Sequence, residues 1–234
     1  MIEVVPFRSL GRFENDWLIA RYHFSFADYH DPDRMGFGPL RVWNDDLIRP
    51  DTGFPPHGHR DMEIVTYVRS GAITHHDHLG NHGRTEAGNI QVMSAGTGIT
   101  HSEYNREGVP AEIFQIWIEP DARGYAPRWE SRAFPREESA GRLTVLASGR
   151  PEDEGSGALL IHQNAAVLGA TLAAGQRLEH KLAAGRRAYL VAARGRFLVN
   201  GCEVGPRDGV EATEIDIVAI EALEEGEIVL ADLP

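Results

Sequence analysis

An all-β fold of small closed barrels is what this sequence predicts, and three observations predict it. The first is composition: 25 glycines and 13 prolines in 234 residues suit a turn-rich β protein better than a helical one. The second is the regular return of turn residues between strand-length runs, at Gly71, Gly80-Asn81, Gly88 and Ala95-Gly96-Thr97-Gly98. The third is a pair of metal-type donors at each end of that series. His57 and His59 are separated by one residue, as are His101 and Glu103, so on extended strands both members of a pair point to one face. Hairpins that bring the second pair back to the first are the behaviour of a small closed barrel. Three imidazoles and a carboxylate at one point suit iron, manganese, nickel, copper or zinc. A polar strand edge with histidines by coincidence is the bland alternative, and two same-face pairs in one hairpin series argue against it.

Along the chain, Ile2-Glu3-Val4-Val5 carries a short strand signal, followed by the aromatic-rich segment Tyr22-His23-Phe24-Ser25-Phe26 and a turn at Tyr29 to Asp33. Leu40 and Val42 alternate with Arg41 and Trp43, a strand entering the barrel. His23 and His30 lie outside the paired pattern and read as structural hydrogen-bonders. The β-branched run Ile64 to Val68 is a strand. Glu63 shares the parity of His57 and His59 and so stands as a fifth candidate ligand; Asp61 shares it too, and is expected to face solvent or a backbone group. His75, His76, His78 and His82 crowd a hairpin tip. They read as a solvated turn rather than a second metal site, because adjacent residues of a strand point oppositely. Ala111 to Ile118 forms another strand, with Met93, Phe114, Ile116 and Trp117 read as core before pocket.

Beyond Pro120 the character changes to an Arg-, Glu-, Pro- and Gly-rich stretch over 121–157, which places a domain boundary near residue 135. Residues 1–135 then form a metal-binding domain and 136–234 a second one that repeats its turn spacing without the chemistry. Val191 to Gly195 matches Tyr67 to Gly71, and Asn200-Gly201 stands where Gly80-Asn81 stood. Counted back from Gly195 without gaps, the places of His57, His59 and Glu63 fall on Lys181, Ala183 and Arg187. His162 and His180 remain as structural residues.

A net charge of −12 argues against direct binding of nucleic acid or an anionic membrane. One cysteine, Cys202, makes no intrachain disulfide, and Met1 to Trp17 shows charged residues where a leader would be apolar. No apolar run is long enough to span a bilayer. A cytoplasmic protein is the expectation.

Several segments resemble the pirin family of the cupin superfamily: Phe24-Ser25-Phe26, Met35-Gly36-Phe37 through Asn44-Asp45-Asp46, Pro56-His57-Gly58-His59-Arg60-Asp61-Met62-Glu63, and Gln91 through Glu103. The resemblance implies a bicupin, two antiparallel, jelly-roll-like β-barrels face to face, with one divalent metal in the N-terminal barrel. It implies iron(II) as the usual metal, with manganese, nickel, copper or zinc as alternatives. Carried over residue by residue, the ligands are His57, His59, His101 and Glu103, which leaves Glu63 as a neighbour of the centre. Bacterial pirin-like proteins closest in pattern are similar to quercetin 2,3-dioxygenases. The implied activity is therefore cleavage of a flavonol by O2 with release of carbon monoxide, Glu103 acting as base and Phe26, Ile64, Met93 and Ile116 walling the pocket. Another small enol or phenol fits the same site. The competing expectation is an iron-binding, redox-sensitive module that binds a protein partner without turnover.

Overall fold

Residues 1–134 and 140–234 are described in the computed structural model of the chain. Its first strands are β1 (Ile2–Val5), β2 (Gly11–Glu14), β3 (Leu18–Tyr22), β4 (Leu40–Ile48), β5 (Gly53–His59) and β6 (Glu63–Ser70). They are followed by β7 (Ala72–Asp77), β8 (His82–Glu86), β9 (Ile90–Ser94), β10 (Ile99–Tyr104), β11 (Ala111–Ile118) and β12 (Arg128–Arg132). The later strands are β13 (Thr144–Ser148), β14 (Leu159–Leu160), β15 (Ala166–Leu172), β16 (Arg177–Lys181) and β17 (Arg187–Arg194). The last are β18 (Phe197–Val199), β19 (Cys202–Val204), β20 (Gly209–Ala212), β21 (Ile217–Ala222) and β22 (Gly226–Leu233). Among the described residues the only helical turns are two 3-10 segments, Phe7–Ser9 and Pro151–Asp153. The all-β prediction holds.

The chain divides into two compact units. One is Gly11–Phe134 with Leu159–Gln163; the other is Met1–Leu10, the described residues of Pro135–Ala158, and Asn164–Pro234. The expected boundary near residue 135 lies in 135–139, outside the described residues. Met1–Leu10 groups with the later residues because β1 pairs antiparallel with β20, Ile2 opposite Ala212. A single cut along the sequence does not express that pairing.

In the first unit a seven-stranded sheet of order β12-β9-β6-β11-β4-β3-β2 faces a four-stranded sheet of order β5-β10-β7-β8. Leu18, Tyr22, Val68 and Ile113 from the larger sheet pack with Ile73 of the smaller one between them. β11 is central, paired with both β4 and β6, and its apolar run is buried on both faces. β5 is the edge of its sheet, and Pro55 and Pro56, which lack an N–H, fall at an irregularity of its ladder, between the paired residues Phe54 and His57.

The second unit repeats this plan. Its sheets run β20-β17-β22-β15-β13, with β1 outside β20, and β16-β21-β18-β19. Strand for strand these match β9-β6-β11-β4-β3 and β5-β10-β7-β8. Their core includes Leu168, Leu190, Phe197, Val218 and Leu230. The glycines that anchored the repeat play one role in both units. Gly71 (φ 72°) and Gly195 (φ 83°) are left-handed, and a Cβ on either would lie 2.8 Å from a backbone carbonyl, that of Pro110 or Glu225. The register, however, corrects the gapless count. Ile99 of β10 pairs with His59, and Ile217 of β21 pairs with Lys181, so the places of His57 and His59 fall on Glu179 and Lys181. The link before β17 is longer than the one before β6, and the count slips by its excess.

Candidate metal centre

Strands β5 and β10 pair antiparallel with His57 opposite His101 and Ile99 opposite His59. Between His101 and Glu103 the register shifts, so that Glu103 stands opposite Phe54 and Tyr104 opposite Gly53. Such an irregularity bends the strand and re-aims side chains beside a site. It also requires a close approach: a Cβ at Gly53 would lie 2.2 Å from the Glu103 carbonyl oxygen. Gly53→Ala is expected to destabilise the protein by about 1–3 kcal/mol in urea denaturation. The control Gly58→Ala, whose Cβ meets nothing closer than 3.8 Å, should cost far less.

The three predicted imidazoles converge. Ring centroids lie 4.5 Å apart for His57 and His101, 4.8 Å for His57 and His59, and 5.0 Å for His59 and His101. One nitrogen from each lies within 4.8 Å of the other two. Nε2 of His59 and Nε2 of His101 are buried with no hydrogen-bond partner. Such orphaned nitrogens are costly unless something binds them. His57 Nδ1 donates to the Pro55 carbonyl at 2.8 Å, which leaves its Nε2 lone pair free. Burial first, and then the neighbouring imidazoles, pushes His59 and His101 down to about 3, so both are neutral and able to donate lone pairs at ordinary pH. The donor set fits a transition metal.

Glu103 is brought to the same place by a different set of neighbours. Its carboxylate forms a second three-residue group with His101 and His75, again within 4.8 Å, so the two groups share His101. The carboxylate is held on both sides. Oε1 accepts from Gln91 Nε2 at 2.6 Å and Thr66 Oγ1 at 3.4 Å, and Oε2 accepts from Gln115 Nε2. Burial pushes the Glu103 carboxyl above its ordinary value, against the pull of His75 and those hydrogen bonds.

His75 corrects the solvated-turn expectation. The parity argument holds, since His75 is fully buried while His76 is exposed, but the inward member is part of the centre. His75 stacks on Trp129 at 4.7 Å with the planes 8° apart. Its Nδ1 is 3.4 Å from His101 Nδ1, and its Nε2 is 2.9 Å from Asp77 Oδ2. Exposed His76 and His82 face each other across the hairpin, and His78 Nδ1 accepts from the Thr100 amide.

A cavity of about 260 Å³ opens beside the centre, lined by His57, His59, Glu103, Gln115, Asn44 and Asp46 on its polar side. Leu18, Tyr22, Phe26, Phe54 and Trp117 complete the wall. Of the expected wall residues, Phe26 lines it. Ile64 and Met93 lie in a separate apolar cluster with Ala95 and Ile99, against which Trp117 packs. Ile116 is fully buried on the opposite strand face, because Gln115 and Trp117 are the residues of β11 that face the cavity. Glu63 is also turned away. Asp61 takes a left-handed φ of 46°, which ends the parity carried from β5, and Glu63 accepts from Ser94 Oγ at 2.7 Å. Asp61 meets a backbone group as expected, accepting from the Gly124 amide at 2.8 Å.

Asn44 and Asp46 lie in a segment that carries the family resemblance, but sequence reasoning missed them as cavity residues. Their i, i+2 spacing on β4 was the available signal. Asn44 Oδ1 and Asp46 Oδ1 are buried without a partner. Burial, and then the charges of Asp45 and Glu103, pushes the Asp46 carboxyl well above its ordinary value. Burial and Asp46 push the Tyr22 phenol up to about 12, so it stays a hydroxyl donor.

Two repeated antiparallel barrels, with an imidazole cluster in one, define the class as a bicupin. The chain belongs to the pirin family. Residues 4–118 match the family model described as Pirin, and residues 145–233 the one described as Quercetinase C-terminal cupin domain. It is 57% identical to a Pseudomonas aeruginosa protein named "Putative quercetin 2,3-dioxygenase PA1210", over 100% of both chains. It is 39% identical to the quercetin 2,3-dioxygenase of Escherichia coli K12, over 96% of this chain and 95% of that one. The crystal structure of the bacterial pirin YhhW from Escherichia coli in complex with nickel(II) superposes with a TM-score of 0.93. That protein shares 37% identity, with 100% of this chain and 99% of that one covered.

Proposed function

We propose that the protein is a metal-dependent dioxygenase that opens a flavonol such as quercetin with O2 and releases carbon monoxide. The observation that carries this reading is the convergence of three neutral imidazoles, two with orphaned buried Nε2 atoms, beside an aromatic-walled cavity. His57, His59, His101 and Glu103 would hold the ion. Iron(II) is the favoured one, with manganese, nickel, copper or zinc as alternatives, nickel(II) being the metal in the related pirin crystal. A transition ion supplies Lewis acidity and the electronic coupling of an enolate to O2.

The chain supplies the rest. Glu103 takes the proton of the substrate's reacting hydroxyl, its carboxylate held in one orientation by Gln91, Gln115 and Thr66. Phe26, Phe54 and Trp117 present apolar surface to the flat ring system and keep water from it. Tyr22, Asn44 and Asp46 offer hydrogen bonds to its peripheral hydroxyls. The flavonol and O2 are the partners in this reading, in the cytoplasm and without nucleic acid. Among the described residues no helix is long and apolar enough to cross a membrane.

The test is oxygen consumption and carbon monoxide release from quercetin by protein loaded with each metal in turn. Turnover supports the enzyme. Its absence with every metal would overturn it in favour of a non-catalytic, metal-holding interaction module. Two substitutions check the assignment of carboxylates. Glu63→Gln is expected to keep the metal by elemental analysis, since Glu63 faces Ser94, whereas Glu103→Gln should lose much of it. The reverse result would exchange their roles.

A further inference from the structure

Asp77 and His75, which the proposed chemistry leaves unused, form a hydrogen-bonded line to His101. Asp77 organises the turn between β7 and β8. Its Oδ1 accepts from the Leu79 amide at 2.9 Å and the Asn81 amide at 3.1 Å, and its Oδ2 accepts from Asn81 Nδ2 at 2.9 Å. A carboxylate with every oxygen already accepting can only accept from His75, so His75 Nε2 carries the proton between them at 2.9 Å. A neutral His75 then offers a lone pair at Nδ1, and the facing His101 Nδ1, 3.4 Å away, is the donor. Neutral His101 is left with its lone pair on Nε2, the buried and unpartnered atom. Trp129, stacked on the His75 ring, keeps that ring from turning.

We propose that His75 and Asp77 are positioning residues that lock His101 in the Nδ1–H tautomer and so present its Nε2 lone pair to a metal. This rests on the metal-centre reading above and deepens it. His101 thus needs a carboxylate–imidazole support reaching it from the neighbouring strand β7, as metal-bound histidines commonly need a partner at the second nitrogen. The fully buried His75 is that support, and the sequence placed it in a solvated turn.

Asp77→Asn tests the proposal because its orientation is dictated. Two backbone amides require an oxygen at the Oδ1 position, so the new amide nitrogen takes the Oδ2 position and donates toward His75, while the Asn81 side-chain amide turns to present its oxygen to it. His75 Nε2 would then have to accept, its Nδ1 would carry the proton, and His101 would be driven to the Nε2–H tautomer. Long-range proton–nitrogen NMR of the metal-free full chain reads both rings directly. The expected wild-type result is His75 Nε2–H with His101 Nδ1–H, and the expected variant result is inversion of both. Zinc(II) affinity by titration should fall about 10–100-fold in the variant, with the amide spectrum otherwise preserved.

A wild-type His101 protonated at Nε2 would overturn the proposal, and that measurement stands even if the variant fails to fold. So would an Asp77→Asn spectrum with unchanged tautomers, or a His75 nitrogen that takes a metal-bound shift on adding zinc(II), which would make it a ligand. Failure of the metal-centre reading looks different: wild-type protein with the expected tautomers that binds no zinc(II).

Discussion

His101→Ala is expected to abolish metal binding outright. His101 is the one residue common to both donor groups, and its ring lies 4.5, 5.0 and 5.2 Å from those of His57, His59 and His75. It is 3% exposed, set between β5 and β7 with His57 and Asp77 as its register partners. The loss can be read without any substrate. A metal that binds only the folded chain raises unfolding free energy by about 2.7 kcal/mol at one hundred times its dissociation constant. Wild-type protein should show that rise in denaturation with and without nickel(II), and His101→Ala should show none. His82→Ala, on the exposed face of the hairpin, should keep the full increment. A His101→Ala protein that holds stoichiometric metal would remove the centre from this place.

Which parts of this site were legible follows from what strand parity can and cannot carry. Parity runs along one unbroken strand, and His57 with His59, and His101, lie where it is unbroken, so their convergence was readable. Parity alone keeps Glu63 as a fifth candidate, while the resemblance leaves it as a neighbour; the left-handed Asp61 intervenes, and such a turn resets which face a side chain takes. His75 was dismissed by the argument that should have kept it: of two adjacent histidines on a strand, one must point inward. Ile116 was assigned to the wrong face because a continuous apolar run on a central strand carries no alternation to show which side holds the cavity. Gln91, Thr66 and Gln115 were unreadable for a further reason. Polar residues in a buried strand look like defects until the carboxylate they satisfy is placed among them, 2.6 Å from Gln91 in the case of Glu103.

The fold was more legible than the site because glycine turns punctuate it. The later unit was recognised by its turns and by missing ligands, and the strand order confirms the repetition. Loop lengths were not recoverable, and the positions equivalent to His57 and His59 were displaced as a result. The corrected positions, Glu179 and Lys181, form no chelating pair. Where the first unit buries imidazoles, the later unit buries an ion network.

That network gives the largest expected effect on stability. Asp232 is 1% exposed, and its carboxylate accepts from Arg150 at 2.7 Å, His180 Nε2 at 2.9 Å and Arg186 Nε at 2.6 Å. Arg150 is further paired with Asp153 at 2.7 Å. Asp232→Asn removes the carboxylate charge and leaves two guanidinium groups, each about nine-tenths buried, without it. Breaking a buried pair in this way costs about 3–5 kcal/mol, and the amide oxygen that remains as acceptor places the expectation near the lower end. The pH dependence has a definite sign. Burial raises the Asp232 carboxyl, but the hydrogen bonds from His180 and Arg186 and the Arg186 charge outweigh it, and the group lies below the ordinary aspartate value. A depressed carboxyl stabilises fully above its unfolded value and loses that contribution as the pH falls through its folded one. The stability gap between wild type and Asp232→Asn, measured by urea denaturation, should therefore be full at neutral pH and shrink only in strong acid. A gap below about 0.5 kcal/mol at pH 7, the scale of an exposed ion pair, or one that does not change with acid, would show that the later barrel does not depend on this carboxylate. Because Asp232 and the imidazole cluster belong to different compact units, the variant should retain its metal.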